Sequence, residues 1–307
     1  MGERSCALDL PTHTKPCDNL IISWHIAIRR DLLNFALFLL LRKKAMTTAH
    51  DIILTLRSME NALQAQVLQR FFKTGKGQYG EGDLFLGLKV PQTRSVVKEA
   101  RLDVTLEEIG KLLLSPWHEV RLCGLLLLVE EMKAALPKRS RRAPTGLTAS
   151  TAWPDGGAGR REEIARFYLA HAHRANNWDL VDLSCGPIVG LWLLHPSATG
   201  ALPDRGVLDR LARSSNLWEQ RISIVSTGML IRHDQFDDTL RIAARLLPHP
   251  HDLIHKAVGW MLREVGKRDI EVLRGFLAEH LHALPRTTLR YAIERMPADE
   301  RAHWMKG

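Results

Sequence analysis

One short pattern recurs along the chain and limits the folds that this sequence can adopt. Each copy starts with polar residues, carries a basic residue a few positions later and continues into an apolar stretch with helical spacing. In one copy the basic position holds an acid, Asp182, whereas Arg121, Arg221 and Lys256 stand there in the others. The copies are SPWHEVRL (115–122), NNWDLVDL (176–183), SNLWEQRI (215–222) and HDLIHKA (251–257).

The steps between equivalent positions, 39 residues from 182 to 221 and 35 from 221 to 256, are typical of an α-solenoid built from HEAT-like antiparallel helix pairs. The earlier step, from 121 to 182, is 61 residues. The excess is expected if residues 137–161, which are basic and rich in Gly, Pro, Ser and Thr, form an inserted loop. Strand signals are lacking. The predicted fold class is therefore all-α, with the repeats forming a curved, basic concave surface.

Residues 1–45 differ from the rest of the chain. The apolar run Leu32–Leu41 is ten residues long, about half of what a membrane-spanning helix needs. Two interpretations are open: an extension that is disordered or untranslated, with the true start at Met46, or an amphipathic, partner-binding helix. We assign the repeat domain to residues 46–307 and expect no membrane association.

The charge of the chain indicates a polyanionic partner. There are 43 Lys and Arg against 34 Asp and Glu, a net charge of +9, and nucleic acid is the first candidate. The four cysteines are scattered without zinc spacing, so we expect a cytoplasmic protein with no metal or cofactor. After an apolar helical pattern from Ala49 to Phe72, the glycine-rich segment 73–83 carries Lys73 and Lys76. These lysines either hold DNA phosphate or lie on a flexible surface loop.

Asp182 is a candidate catalytic group because a carboxylate inside a basic stripe would repel phosphate and serve no purpose in binding alone. Trp178 precedes it by four residues and Trp260 follows Lys256 by four, so both indoles would point towards the same concave face. The alternative is that Trp178 belongs to the core and Asp182 is a cap or surface acid.

Five segments together resemble the AlkD-type DNA alkylation repair enzymes, DNA glycosylases with HEAT-like repeats, from Met46 to the C-terminus. They are FLGLKVPQTR (85–94), NNWDLVD (176–182), NLWEQR (216–221), HKAVGWMLRE (255–264) and PRTTLRYAIE (285–294). Asn177 stands where some relatives carry an aromatic residue, and the N-terminal extension and the 137–161 loop are further departures from the family pattern.

This resemblance implies a glycosylase that hydrolyses the N-glycosidic bond of cationic N3- or N7-alkylated purines in double-stranded DNA. Asp182 would stabilise the oxocarbenium-like sugar and place water, Trp178 and Trp260 would contact the sugar and backbone, and Arg221 would hold a phosphate and orient Asp182.

The expected DNA contacts share a positive charge. They are Lys73, Lys76, Arg94, Arg121, Lys256 and Arg263. We expect a monomer with no obligatory protein partner. Two other functions stay open: a non-catalytic HEAT-like protein that recognises damaged or branched DNA, and a protein-binding solenoid.

Overall fold

The computed structural model describes residues 47–137 and 155–306, and within these ranges the chain is helical, with one isolated bridge between Leu84 and Trp117. We number the α-helices in chain order. They are α1 (Ala49–Arg57), α2 (Ala62–Phe71), α3 (Val90–Ala100), α4 (Leu106–Leu113), α5 (His118–Ala134), α6 (Ala158–Ala170), α7 (Trp178–Cys185), α8 (Leu191–Leu194), α9 (Gly206–Ala212), α10 (Leu217–Val225), α11 (Thr227–Ile231), α12 (Asp237–Leu246), α13 (Asp252–Arg268), α14 (Ile270–His280), α15 (Arg286–Ala292) and α16 (Ala298–Trp304).

One continuous series of helices, which we call the inner row, runs through the fold: α5, α7, α10, α13 and α15 each pack against the next. Three of these helices, α5, α10 and α13, form a pair with the helix that precedes them along the chain. The preceding helix of a pair, such as α4, α9 or α12, covers the inner helix that follows it. This arrangement confirms the all-α, solenoid-like fold expected from the repeat spacing.

The repeat pattern also explains where the inner helices begin. Asn177 caps α7 by accepting from the Trp178 amide, and Asn216 caps α10 through the amides of Trp218 and Glu219. His251 does the same for α13 with its ring nitrogen. The polar start of these three copies is therefore a helix cap, whereas α5 begins at Trp117 without a side-chain cap. The positions equivalent to Asp182 lie early in each helix of the inner row that carries a copy of the repeat.

Two helix boundaries differ from the sequence prediction. The apolar pattern from Ala49 to Phe72 is split between α1 and α2, because Asn61 caps a new helix by accepting from the Gln64 amide. The predicted loop at 137–161 ends earlier, since α6 begins at Ala158; residues 138–154 of that loop, like residues 1–45, lie outside the described residues.

Direct contacts join the end of α5 to the start of α6, the two chain segments that flank residues 138–154. The Arg161 guanidinium is buried and donates to the carbonyl oxygens of Ala135, Gly156 and Pro196. Gly157 has φ +82°, and a Cβ there would lie 2.2 Å from the Ala135 carbonyl oxygen. Only glycine fits this close approach.

The core runs along the whole solenoid. It is built from Leu, Ile, Val and Ala side chains of both helices of each pair, together with Cys123 and Cys185, and burial raises the pKa of both thiols to about 12. No helix in the described ranges is both long and apolar enough to cross a bilayer.

Candidate functional site

Asp182 and Arg221 face each other across neighbouring inner-row helices. The Arg221 Nε and Nη2 donate to the two carboxylate oxygens of Asp182 at 2.9 and 2.8 Å, while Nη1 donates to the Leu253 carbonyl at the start of α13. Because both carboxylate oxygens accept from the same planar guanidinium, the carboxylate is held in one orientation. The 39-residue step of the repeat places these two positions side by side.

The Asp182 carboxylate is largely but not fully buried: 16% of the side chain is exposed, against 6% for Arg221. Burial raises the pKa of Asp182 above its usual range, and the nearby charge of Asp179 adds to this, although Arg221 opposes both. A charge held in such a site is poorly screened by water, so its electrostatic effect on a neighbouring cation is large.

A cavity of about 500 Å³ lies beside Asp182. Its walls include Phe71, Phe72, Phe85 and Trp178, and we call it the aromatic cavity. The Phe72 ring lies 5.3 Å from Trp178 and stacks on Phe85 at 5.2 Å, centroid to centroid. Phe71, half of whose surface or more is exposed, meets the Trp178 indole edge-on at 5.9 Å. These rings form an aromatic cluster at the rim of the site.

A second cavity of about 360 Å³ adjoins the first, and Phe71 and Trp178 line both. It contains three cations, Arg221, Lys256 and Arg263, together with Trp260, and we call it the basic cavity. Here the structure brings together five of the residues that the sequence predicted for catalysis or DNA contact.

The cations of the basic cavity already have carboxylate partners. Lys256 Nζ lies 2.8 Å from Asp252, whose side chain is 54% exposed, and Arg263 pairs with Glu294. Exposed ion pairs such as Lys256–Asp252 contribute only about 0–1 kcal/mol. A phosphate group can therefore replace the Asp252 carboxylate at Lys256 at little cost.

Three predicted DNA contacts lie away from both cavities. Lys73 and Lys76 are exposed on the glycine-rich loop, and Arg94 is exposed on α3. A fourth, Arg121, is placed differently from the prediction of a surface DNA contact. Its side chain is 2% exposed, and the guanidinium donates to the Ser115 carbonyl at 2.9 Å and to Asp83 at 2.5 Å. Arg121 is a buried structural cation, because its helix turns this position towards the glycine-rich loop.

Beneath the aromatic cavity, His118 joins that loop to the helix that carries Asp182. Its Nδ1 lies 2.8 Å from Asp83 and its Nε2 lies 2.9 Å from Asp179. Burial alone would lower the pKa of His118, but the charges and hydrogen bonds of Asp179 and Asp83 outweigh it and raise the pKa to about 9. His118 is therefore charged at neutral pH and donates to both carboxylates.

The adjacent acid, Glu119, organises the wall of the aromatic cavity. Its carboxylate accepts from the backbone amides of Leu86, Gly87 and Leu88 at 2.9 to 3.0 Å. These bonds hold Phe85 next to His118, whose ring it stacks on at 4.5 Å. Hydrogen bonds and ring contacts thus connect the glycine-rich loop, the wall of the aromatic cavity and α7.

Sequence reasoning missed the aromatic cluster and the Asp83–His118–Asp179 network. The repeat contained a signal for part of it. His118 and Asp179 are separated by the same 61 residues as Arg121 and Asp182, so the register already placed them on adjacent helices. No comparable signal marks Asp83 or Phe72, which precede the first copy of the repeat.

Comparison with known proteins gives a consistent result. The family described as DNA alkylation repair enzyme matches residues 52–296 of the chain. A solved structure, a predicted DNA alkylation repair enzyme from Enterococcus faecalis, superposes with a TM-score of 0.52 at 15% identity, covering 78% of this chain and 97% of that one. At this identity the superposition shows a shared fold. No curated protein sequence matches the chain.

Proposed function

Because this chain belongs to the DNA alkylation repair enzyme family, we propose that it is a DNA glycosylase that removes cationic N3- or N7-alkylated purines from double-stranded DNA. The observation that carries the proposal is the Asp182 carboxylate, which lines the aromatic cavity, is oriented by Arg221 and lies one helical turn from Trp178, a residue that lines both cavities. Partly desolvated acids with a raised pKa and a fixed orientation cluster at catalytic sites.

Hydrolysis of this N-glycosidic bond needs little help from the protein in activating the leaving group. An alkylated purine already carries a positive charge and leaves as a neutral base, so no strong general acid is needed. As the N-glycosidic bond lengthens, positive charge develops on the deoxyribose, and Asp182 stabilises it and orients the attacking water. Trp178 and Trp260 contact the sugar and backbone and exclude solvent, and the cation–π attraction of their rings adds to the effect of the carboxylate.

The direct test is incubation of the purified full-length protein with duplex DNA containing 7-methylguanine or 3-methyladenine. We expect the free methylated base in solution and abasic sites in the DNA, with no strand cleavage until the abasic sites are treated with alkali. If the protein binds the duplex but releases no base, the alternative of a non-catalytic module for damaged DNA is favoured instead.

Lys256 provides a prediction about DNA binding. We expect Lys256→Ala to weaken binding of undamaged duplex at low salt and to reduce the slope of log affinity against log salt by about 0.9, the value for one lost phosphate contact. The measurement is fluorescence anisotropy across a salt series.

Lys267→Ala is the matched control for this prediction. Lys267 lies on the same helix and pairs with a carboxylate like Lys256, but it lines neither cavity. Equal slopes for wild type and Lys256→Ala, or the same reduction in both variants, would contradict the assignment of Lys256 to a phosphate.

A further inference from the structure

The turn between α12 and α13 contains two histidines whose rings bond to the backbone. His249 accepts the amide of His251 through Nδ1 at 3.0 Å, and His251 accepts the amide of Leu253 through Nδ1 at 3.1 Å. Pro248 and Pro250 flank the first histidine. Proline fixes φ and has no N–H to donate, so side-chain acceptors are the means by which this turn can be bonded further.

These hydrogen bonds define the protonation state of both rings. A ring nitrogen that accepts from an amide carries no proton, so each ring is neutral with its hydrogen on Nε2. The partners of His249 agree with this assignment. Its Nε2 lies 2.8 Å from Oε1 of Gln220, and the amide nitrogen of Gln220 donates to the Ser214 carbonyl at 2.7 Å, which leaves Oε1 as the acceptor for His249.

The series of bonds starts and ends on adjacent residues of α10. At one end Gln220 holds His249. At the other end, Leu253 offers its amide to His251 and its carbonyl oxygen to Nη1 of Arg221, at 2.6 Å. Gln220 and Arg221 are consecutive, so the turn and α10 are bonded at two points. The second point is the guanidinium that orients the Asp182 carboxylate.

The charges around the two rings favour their neutral forms. The titratable and charged groups that face His251 lie on two helices, and they are Arg221 on α10 and Asp252, His255 and Lys256 on α13. His249 faces His251 and His255. Burial lowers the pKa of both rings below the ordinary 6.5, and neighbouring positive charge lowers it further, although Asp252 opposes this at His251.

We infer that His249 and His251 are positioning residues for the reaction at Asp182. As neutral rings they hold the turn that places the Leu253 carbonyl against Arg221, and Arg221 in turn keeps the carboxylate in one orientation. Protonation puts a hydrogen on Nδ1, where it faces a backbone N–H, and breaks the bond that the ring accepts. This inference rests on the proposed glycosylase function and predicts that mild acid slows the reaction through the turn as well as through Asp182.

Two substitutions of one residue separate the acceptor from its titration. His251→Ala removes the acceptor, whereas His251→Asn keeps one that cannot be protonated, as Asn216 does at the start of α10. At about pH 7.5 we expect His251→Ala to lower the single-turnover rate of 7-methylguanine release about ten- to a hundredfold, because the carboxylate is misplaced. His251→Asn should restore most of the rate. His249→Ala, which breaks the link to Gln220, should act like His251→Ala.

The pH profile of the rate distinguishes positioning from a merely structural role. The neutral form of each ring is lost as the pH falls through its folded-state pKa, which lies below 6.5. The wild-type rate should therefore fall steeply in this range, since the two histidines and Asp182 all titrate there. His251→Asn lacks one of these groups, so its profile should be shallower, and at about pH 5.5 it should keep a larger fraction of its neutral-pH rate than the wild type keeps.

Asp269→Ala is the matched control for the loss of a helix cap. Asp269 caps α14 through the amides of Glu271 and Val272 and lines neither cavity. The rate and pH profile of this variant should match those of the wild type. Circular dichroism at each pH establishes that every protein is folded under the conditions of the assay.

The possible outcomes separate the inference from the proposed function. If the wild type releases the base and folded His251→Ala does so at the same rate, the inference is wrong and the glycosylase function stands. Coincident pH profiles for His251→Asn and the wild type, or an equal loss of rate in Asp269→Ala, would also overturn the inference. If the wild-type protein releases no base, the proposed function is wrong and the inference falls with it.

Discussion

Asp182→Asn is expected to lower the single-turnover rate of 7-methylguanine release by about 10²–10³-fold, the usual loss when one preorganised electrostatic group is removed. The amide keeps the shape of the side chain and one oxygen acceptor for Arg221, but it removes the negative charge that stabilises the developing sugar cation. The affinity for undamaged duplex should change little or increase, since a charge that repels phosphate is lost.

The same change also leaves Arg221 without its counter-charge, and breaking a buried ion pair costs up to about 3–5 kcal/mol. Thermal unfolding must therefore be measured alongside the rate, and the rate compared at a temperature where the variant is fully folded. Asp234→Asn is the control, because Asp234 also pairs with an arginine, Arg268, but is 61% exposed and distant in sequence from the site. Wild-type release of base by the folded Asp182→Asn protein would remove the carboxylate from the mechanism.

The second large effect is expected for stability. His118→Gln should lower the free energy of unfolding by about 3–5 kcal/mol at neutral pH, because Asp179 then remains buried without a cation and Asp83 keeps only Arg121. Urea unfolding followed by circular dichroism measures this. The activity of the folded variant should fall as well, since Asp179 lies one residue from Trp178.

The pH dependence of the free energy of unfolding tests whether the charge on His118 is the cause of this stabilisation. Its folded-state pKa, about 9, exceeds the ordinary value of 6.5, so its contribution is complete below pH 6.5 and is lost as the pH rises through about 9. The wild-type protein should lose about 3 kcal/mol over this window. His118→Gln should show a much flatter profile, and His50→Gln, at an exposed histidine, should resemble wild type. Parallel profiles for all three proteins would exclude a buried charged His118.

The inner row and the Asp182–Arg221 pair could be predicted from the sequence because both depend on spacing. A repeat of 35 to 39 residues fixes which helices are neighbours, and the polar caps fix where α7, α10 and α13 begin. The same spacing of 61 residues that relates Asp182 to Arg121 also relates Asp179 to His118. Applied to this second pair, it predicts the contact between α7 and α5.

The burial of Arg121 and the aromatic walls could not be predicted in this way. Both depend on the segment from α2 to Leu88, which precedes the repeat and packs against it through contacts distant in sequence. The spacing of the repeat predicts which face of a helix a residue occupies, but it does not predict which other segment covers that face. Arg121 has the same register as Asp182, yet it is covered by a loop that carries Asp83, whereas Asp182 is left open to a cavity.

The clasp formed by Arg161 and Gly157 separates the length of one connection from the geometry of the site. It joins the end of α5, the helix that carries His118, directly to the beginning of α6, whatever number of residues runs between 138 and 154. A change in the length of this connection should therefore leave the end of α5 and the start of α6 in contact.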